Sequence, residues 1–263
     1  MSPTTSLCIL TQMLNVAIEA AKAAGNLALK YNKSRLNIQQ KKDLFSSPVT
    51  QADKDAEQLI RTIINRKFPD HGIIGEEFGQ SKPNAEYQWI IDPIDGTRDY
   101  VRQNPFWSTL IAVLKNQKPI IGVCYFPNSR QLFHAQTGKG AFINGKKNRV
   151  SEIAILHKAY VNISSPHQFK AAKKEEQLFK LSKSVGASRY FSSMSYAMLW
   201  QRQAEALVVA GGSIWDFAAT SIITEEAGGK FTDFNGNYAL DSGTAVFSNG
   251  KIHEQILKIL NDK

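Results

Sequence analysis

Between Trp89 and Thr97 the chain runs Trp-Ile-Ile-Asp-Pro-Ile-Asp-Gly-Thr, which brings two carboxylates and a hydroxyl to one place. The apolar run Trp89 to Ile91 predicts a short buried strand. Pro93 should stop ladder pairing and Gly96 should permit a tight turn, so Asp92, Asp95 and Thr97 are expected where a strand ends. Folds of mixed helices and strands commonly build sites there. Two further acidic points echo it: Glu76-Glu77 after Ile73-Ile74-Gly75, and Asp216 after Trp215 at the opening of an apolar helix. Any one of these acids alone reads as a turn or helix cap. Glu76, Asp92, Asp95 and Asp216 together, each beside an apolar run or an aromatic, point to a sheltered site for a hard cation. Charged groups seldom enter such places unless paired or metal-bound. Oxygen donors without a histidine cluster favour Mg2+ over Zn2+.

Elements must position these groups. Leu10, Met13, Leu14, Ala17, Ile18, Ala21, Ala24 and Ala28 form a one-sided stripe that predicts a helix over 7–31, capped by Thr5 or Ser6. A polar segment from Asn32 to Ser47 follows, with Lys41-Lys42-Asp43 inside it. A second helix should start near Ala52-Asp53, present Ala56, Leu59, Ile60, Ile63 and Ile64 on one face, and end at the turn Pro69-Asp-His-Gly72. The middle is strand-rich: 108–114 and 120–126 are joined hairpin-fashion by Lys115 to Lys118, and 132–135 and 140–143 continue the sheet before the Asn144-Gly145 turn. Beyond about Ser151 strands and helices alternate, with helices predicted over 186–200, 215–227 and 251–260 and a strand over 206–210. This divides the chain into parts 1–150 and 151–263, expected to pack as one body because no Pro/Gly/Ser-rich linker separates them.

Bulk properties narrow the classes. With 263 residues, 43% of them hydrophobic, the chain can bury a substantial core and is not disordered. Cys8 and Cys124 lie far apart among apolar neighbours and read as reduced core thiols, which favours a reducing compartment. Leu7 to Leu10 is too short for a signal h-region, and no apolar run approaches a membrane span, so a cytoplasmic protein is expected. The net charge of +9 suits an anionic substrate. The same charge leaves nucleic acid or an anionic membrane open but gives them little support: Lys173-Lys174-Glu175-Glu176 reads as a mixed-sign helix face, Lys146-Lys147-Asn148-Arg149 follows a hairpin turn, and neither interleaves with aromatics. The histidines, at 71, 134, 157, 167 and 253, are scattered and read as turn or surface residues.

No GxSxG elbow and no GxxxxGK[ST] loop is present. Ile94-Asp-Gly-Thr97 is superficially similar to the aspartate-nucleophile phosphatases of haloacid dehalogenase type, but the position two before Asp95, where their nucleophile stands, is Pro93. The chain does resemble the inositol monophosphatase family of Mg2+-dependent, lithium-sensitive phosphomonoesterases. The resemblance runs in order through Pro48-Val-Thr-Gln-Ala-Asp53, Ile74-Gly-Glu-Glu77, Trp89 to Thr97, Gly138-Lys-Gly-Ala-Phe142 and Trp215-Asp216 through Glu225-Glu-Ala-Gly-Gly229.

That resemblance implies a mixed α/β fold, a layered αβαβα sandwich, usually as a homodimer. It implies two to three Mg2+ ions: a first held by Glu76, Asp92 and the Ile94 carbonyl, a second by Asp92, Asp95 and Asp216, and a third, water-rich one with help from Glu76. Glu77 would act from behind these ligands, and Asp53 and Thr97 resemble the pair that orients and deprotonates the attacking water. Asp53 also reads as a helix N-cap, and both roles are compatible. Asp95 and Asp216 would also border the substrate, and the Gly96 and Thr97 N–H groups would cradle phosphate oxygens. A phosphate monoester dianion repels hydroxide and leaves as an alkoxide, so clustered Mg2+ ions offset both difficulties without a covalent intermediate.

Substrate choice is where the chain departs from inositol-specific members, which carry an acidic residue a few positions before the Trp-Asp pair. Ala206 to Ile214 holds no charged side chain, so hydroxyl partners would have to come from elsewhere, such as Glu205 or the other subunit of a dimer. Pro105 to Ala112 and Tyr196 to Leu199 are similar to histidinol-phosphatase members, whereas Ser192-Ser193 with Ala204-Glu205 is similar to the bisphosphate nucleotidase branch. The expected activity is Mg2+-dependent hydrolysis of a small polyol or amino-alcohol phosphate of the inositol-monophosphate or histidinol-phosphate class. The alternatives are a 3′(2′),5′-bisphosphate nucleotidase, and a basic RNA- or polymerase-binding regulator with residual phosphatase activity. The intact set Asp53, Glu76, Asp92, Asp95, Thr97 and Asp216 argues against a purely binding role.

Overall fold

The computed structural model of the chain describes residues 3–32, 38–40 and 48–262. Two helices open it, α1 (Pro3–Asn32) and α2 (Gln51–Lys67), with a two-stranded ribbon, β1 (Ile38–Gln40) and β2 (Pro48–Thr50), between them. Helix α1 starts ahead of Thr5 and Ser6, the expected caps. The rest of the expected polar segment, 33–37 and 41–47 with Lys41-Lys42-Asp43, lies outside the described residues.

The first sheet contains β3 (Gly72–Gly75), β4 (Gly79–Ser81), β5 (Tyr87–Asp95), β6 (Ser108–Lys115), β7 (Lys118–Phe126), β8 (Gln131–Gln136), β9 (Gly140–Ile143) and β10 (Lys146–Asn148), in the order β10-β9-β8-β7-β6-β5-β3-β4. Helix α3 (Thr97–Val101) leaves the end of β5. All pairings are antiparallel except β3 with β5. The second sheet contains β11 (Tyr160–Ile163), β12 (Ala187–Arg189), β13 (Ala206–Ala210), β14 (Lys230–Thr232) and β15 (Thr244–Ser248), in the order β12-β11-β13-β15-β14. Its helices are α4 (Pro166–Ala171), α5 (Glu175–Ser184), α6 (Met194–Trp200), α7 (Ile214–Glu226) and α8 (His253–Leu260).

Burial sorts these elements into five layers. The small residues Ala17, Ala20, Ala21 and Ala24 let α1 lie close to the large sheet, where it and Ile60 and Ile64 of α2 cover Trp89, Ile91, Ile111 and Val123. The alternate residues of the same strands, Ile90, Leu110, Ala112 and Cys124, face Tyr196 and Trp200 of α6 and Phe217 and Ile222 of α7. Those two helices in turn cover Leu207, Val209 and Phe247 of the second sheet. Its far face, with Val161, Val208 and Val246, packs on Phe169, Leu181 and Ile256 of α4, α5 and α8. The result is the expected αβαβα sandwich.

Several local expectations are corrected. Residues 186–200 are not one helix: edge strand β12 comes first and α6 begins only at Met194. Lys173 and Lys174 lie between α4 and α5 rather than on a helix face with Glu175 and Glu176. Cys124 is buried but Cys8 is exposed. His253 is 0% exposed, its ring bonded to Thr232 Oγ1 at 2.9 Å and Ser248 Oγ at 2.8 Å, and His134 sits on β8. No helix among the described residues is long and apolar enough to cross a membrane.

Candidate active site

Strand β5 does not stop at Pro93 but runs on to Asp95, and the proline is absorbed by a bulge. Asp92 stands opposite Leu110 and Asp95 opposite Ser108, so three steps on β5 match two on β6. In a regular strand, residues three apart point to opposite faces; the extra residue cancels that alternation. Both aspartates therefore face the α6/α7 side. The Asp92 carboxylate accepts from the Ile94 N–H at 3.0 Å, which pins the bulge. Gly96 then takes φ 93°, where an added Cβ would lie 2.9 Å from Ser192 Oγ and 3.1 Å from the Phe106 carbonyl oxygen.

The other acids come from separate elements. Glu76 follows β3, which runs parallel to β5, and its N–H donates to the Ile91 carbonyl at 3.2 Å. Asp216 is the third residue of α7, where its carboxylate accepts from the Ser213 N–H at 2.6 Å in a capping box. Asp92, Asp95 and Asp216 each offer an oxygen within 4.8 Å of the others. Asp53 is likewise the third residue of its helix rather than the N-cap, which is Thr50. Its Oδ2 accepts from Thr50 N at 2.7 Å and Thr50 Oγ1 at 2.6 Å, leaving Oδ1 3.5 Å from Thr97 Oγ1. Thr97 Oγ1 also donates to the Ile94 carbonyl at 3.0 Å.

These groups border a cavity of about 590 Å3 that takes in Glu76, Asp92, Ile94, Asp95, Gly96, Thr97 and Asp216; Asp53 reaches it through Thr97. Glu77 is outside the lining, and its N–H donates to Glu57 at 2.7 Å. The apolar part of the lining is Leu207, Val209 and Trp215, together with the rings of Tyr190 and Tyr196. Glu205 is not in the lining: it is buried elsewhere, accepting from Ser151 Oγ at 2.9 Å and Tyr160 N at 2.7 Å. His167, expected at a turn or on the surface, lines the cavity, as do Gln168, Arg98, Asp99, Ser192 and Ser193. Apart from Ser192-Ser193 these residues carry no periodic or motif signal, because they lie on or beside the short helices α3, α4 and α6, whose direction is set by packing.

The carboxylates of the site repel one another. Burial, then the charges of Glu76, Asp95 and Asp216, hold the Asp92 carboxyl well above the ordinary range. Burial, then Asp95 and Glu76, does the same to Asp216. Burial pushes Asp95 up to about 7, with the Ser193 hydroxyl opposing and Glu76 and Asp99 adding to the rise. Asp95 Oδ2 is buried without a hydrogen-bond partner. An all-oxygen donor set whose charges repel one another, with one oxygen unsatisfied, fits a hard divalent cation.

Known proteins agree with this geometry. The profile of the inositol monophosphatase family matches residues 9–263. The chain is 35% identical to the histidinol-phosphatase of Mycobacterium tuberculosis over 94% of its own length and 97% of that protein's. It is 33% identical to the Nus factor SuhB of Pasteurella multocida, over 93% and 94% of the two chains. The solved IMPase of Thermotoga maritima superposes with a TM-score of 0.86 at 32% identity, covering 95% of this chain and 97% of that one. With its acids gathered at the ends of β3, β5 and the start of α7, the chain belongs to the inositol monophosphatase family and is a phosphoric monoester hydrolase.

Proposed function

We propose that this chain hydrolyses a small polyol or amino-alcohol phosphate, with Glu76, Asp92, the Ile94 carbonyl, Asp95 and Asp216 as ligands of two to three Mg2+ ions. The observation that carries the reading is the convergence of Asp92, Asp95 and Asp216 within 4.8 Å beside the Asp53–Thr97 pair. Bound Mg2+ would neutralise the phosphate, acidify a water and stabilise the leaving oxygen. The remaining work falls to the chain. Thr97, whose single hydroxyl proton has the Ile94 carbonyl and Asp53 Oδ1 as alternative acceptors, orients the attacking water, takes the water's proton at Oγ1 and passes its own to Asp53 Oδ1. The capping boxes of α2 and α7 hold Asp53 and Asp216 in fixed rotamers, so little reorganisation is needed at reaction. The Gly96–Thr97 turn presents backbone N–H groups to phosphate oxygens.

The substrate class follows from the apolar part of the lining. Leu207, Val209 and Trp215 offer no carboxylate to collect a pair of hydroxyls, and the Gln168 amide already donates to the Gly211 carbonyl at 3.4 Å. Each substrate hydroxyl stripped of water without a partner costs about 1–3 kcal/mol. A ring with five free hydroxyls is therefore a poorer fit than an amino-alcohol phosphate, and the likeness to a protein called histidinol-phosphatase supports the same class. The test is phosphate release with Mg2+ from inositol 1-phosphate, histidinol phosphate, fructose 1,6-bisphosphate and 3′-phosphoadenosine 5′-phosphate. The expected result is a higher kcat/KM for histidinol phosphate than for inositol 1-phosphate. A preference for inositol 1-phosphate overturns the reading of the apolar lining, and a preference for the bisphosphate nucleotide overturns the substrate class.

A further inference from the structure

Helix α2 carries more than Asp53. One and two turns on, Glu57 and Arg61 repeat at intervals of four, which places all three on one stripe. Glu57 is 0% exposed, an unusual place for a carboxylate. It accepts from the Glu77 N–H at 2.7 Å, the Phe78 N–H at 3.2 Å and Arg61 Nε at 2.8 Å. Arg61 also donates to the Gly79 carbonyl, and its guanidinium lies 6.0 Å from the Phe78 ring centroid. Gly75 makes room for the arrangement: a Cβ there would stand 2.0 Å from Glu57 Oε1.

These bonds grip the turn immediately after Glu76. Hydrophobic packing does not hold that turn, since Phe78 is 49% exposed. The β3–β4 pairing of Gly75 with Gly79 closes it, and inside that closure it is tied by the Glu76 N–H on Ile91 from one side and the Glu57 carboxylate on Glu77 and Phe78 from the other. We propose that Glu57 is a positioning residue, which holds Glu76 at the reach its metal needs and sets that reach from the same helix that carries Asp53. The inference rests on the assignment of Glu76 as a Mg2+ ligand. In Glu57→Gln the amide turns an NH2 towards donors: one backbone N–H loses its acceptor and Arg61 loses its countercharge.

The experiment titrates Mg2+ into the full-length protein by calorimetry and follows amide exchange at Glu77 and Phe78. Groups that orient metal ligands from behind typically change metal affinity about 10–100-fold. Glu57→Gln is expected to weaken Mg2+ binding on the order of 10-fold, to speed exchange at both amides, and to raise the Mg2+ needed for half-activity with kcat little changed at saturation. Unchanged Mg2+ affinity in Glu57→Gln, whatever its Tm, overturns the proposal and leaves Glu57 a structural residue. Should that variant fail to fold, Gly75→Ala displaces the same carboxylate while leaving every bonding group in the chain. The same weakening supports the proposal, and wild-type affinity overturns it. Glu76→Gln separates the two readings. If it binds Mg2+ normally, the ligand assignment fails; if it weakens binding while Glu57→Gln does not, only the positioning role fails.

Discussion

Replacing Asp95 by Asn should stabilise the metal-free protein and at the same time abolish its use of Mg2+. Burial lifts the Asp95 carboxyl from an ordinary 3.8 to about 7, so the folded state binds its proton more tightly than the unfolded chain does. Folding stability attributable to this group is therefore complete below about pH 4 and is lost as pH rises to about 7. A shift of roughly three units corresponds to about 4 kcal/mol, an upper bound because neighbouring acids relax with it. Asn has no such titration. In EDTA, urea unfolding of wild type and Asp95→Asn should differ by only about 1 kcal/mol at pH 4.5, with the variant more stable by up to about 4 kcal/mol at pH 7.5. Added Mg2+ at 100 times its Kd should then stabilise wild type by about 2.7 kcal/mol and the variant hardly at all. Phosphatase activity of the variant should be lost. A stability gap that does not change with pH, or a variant that Mg2+ still stabilises and that still turns over substrate, refutes the reasoning.

Thr97→Ala should lower kcat by about 10²–10⁴-fold while leaving Mg2+ affinity close to wild type, measured by steady-state kinetics beside calorimetry; a variant that keeps its kcat but loses stability assigns Thr97 to the turn alone. His253, buried near Lys230, has its pKa lowered to about 4, so the stability it confers is present above its ordinary 6.5 and disappears as pH falls through 4. That is about 3 kcal/mol of acid sensitivity, and His253→Gln should flatten the stability–pH curve in this window.

Much of this was legible in the sequence where a long pattern or a confined charge carried the signal. The alanine-rich stripe of α1 was read to within a few residues of Pro3–Asn32, because thirty residues average out local ambiguity. The acids Glu76, Asp92, Asp95 and Asp216 stood out since each abuts an apolar run that had to be buried. Glu57 did not stand out: a glutamate in an amphipathic helix looks the same whether it meets water or a backbone turn, and only Gly75 opposite it makes the difference. His253 was misread for the same reason, as its partners Thr232 and Ser248 come from two strands. Strand β12 has three residues, too few for a period of two to show against the helical pattern that follows.

The bulge in β5 makes this site sensitive to counting as well as to chemistry. Side chains between Asp92 and Asp95 can be exchanged while the step of three against two survives, but a one-residue deletion there would restore alternation or shift the register. One aspartate would then turn towards α1 and α2, into a face lined by Trp89 and Ile111, where a lone carboxylate has no partner. The length of this tetrapeptide is thus constrained as tightly as its two carboxylates, and a chain that loses the extra residue loses both the ion and the fold's central strand pairing together.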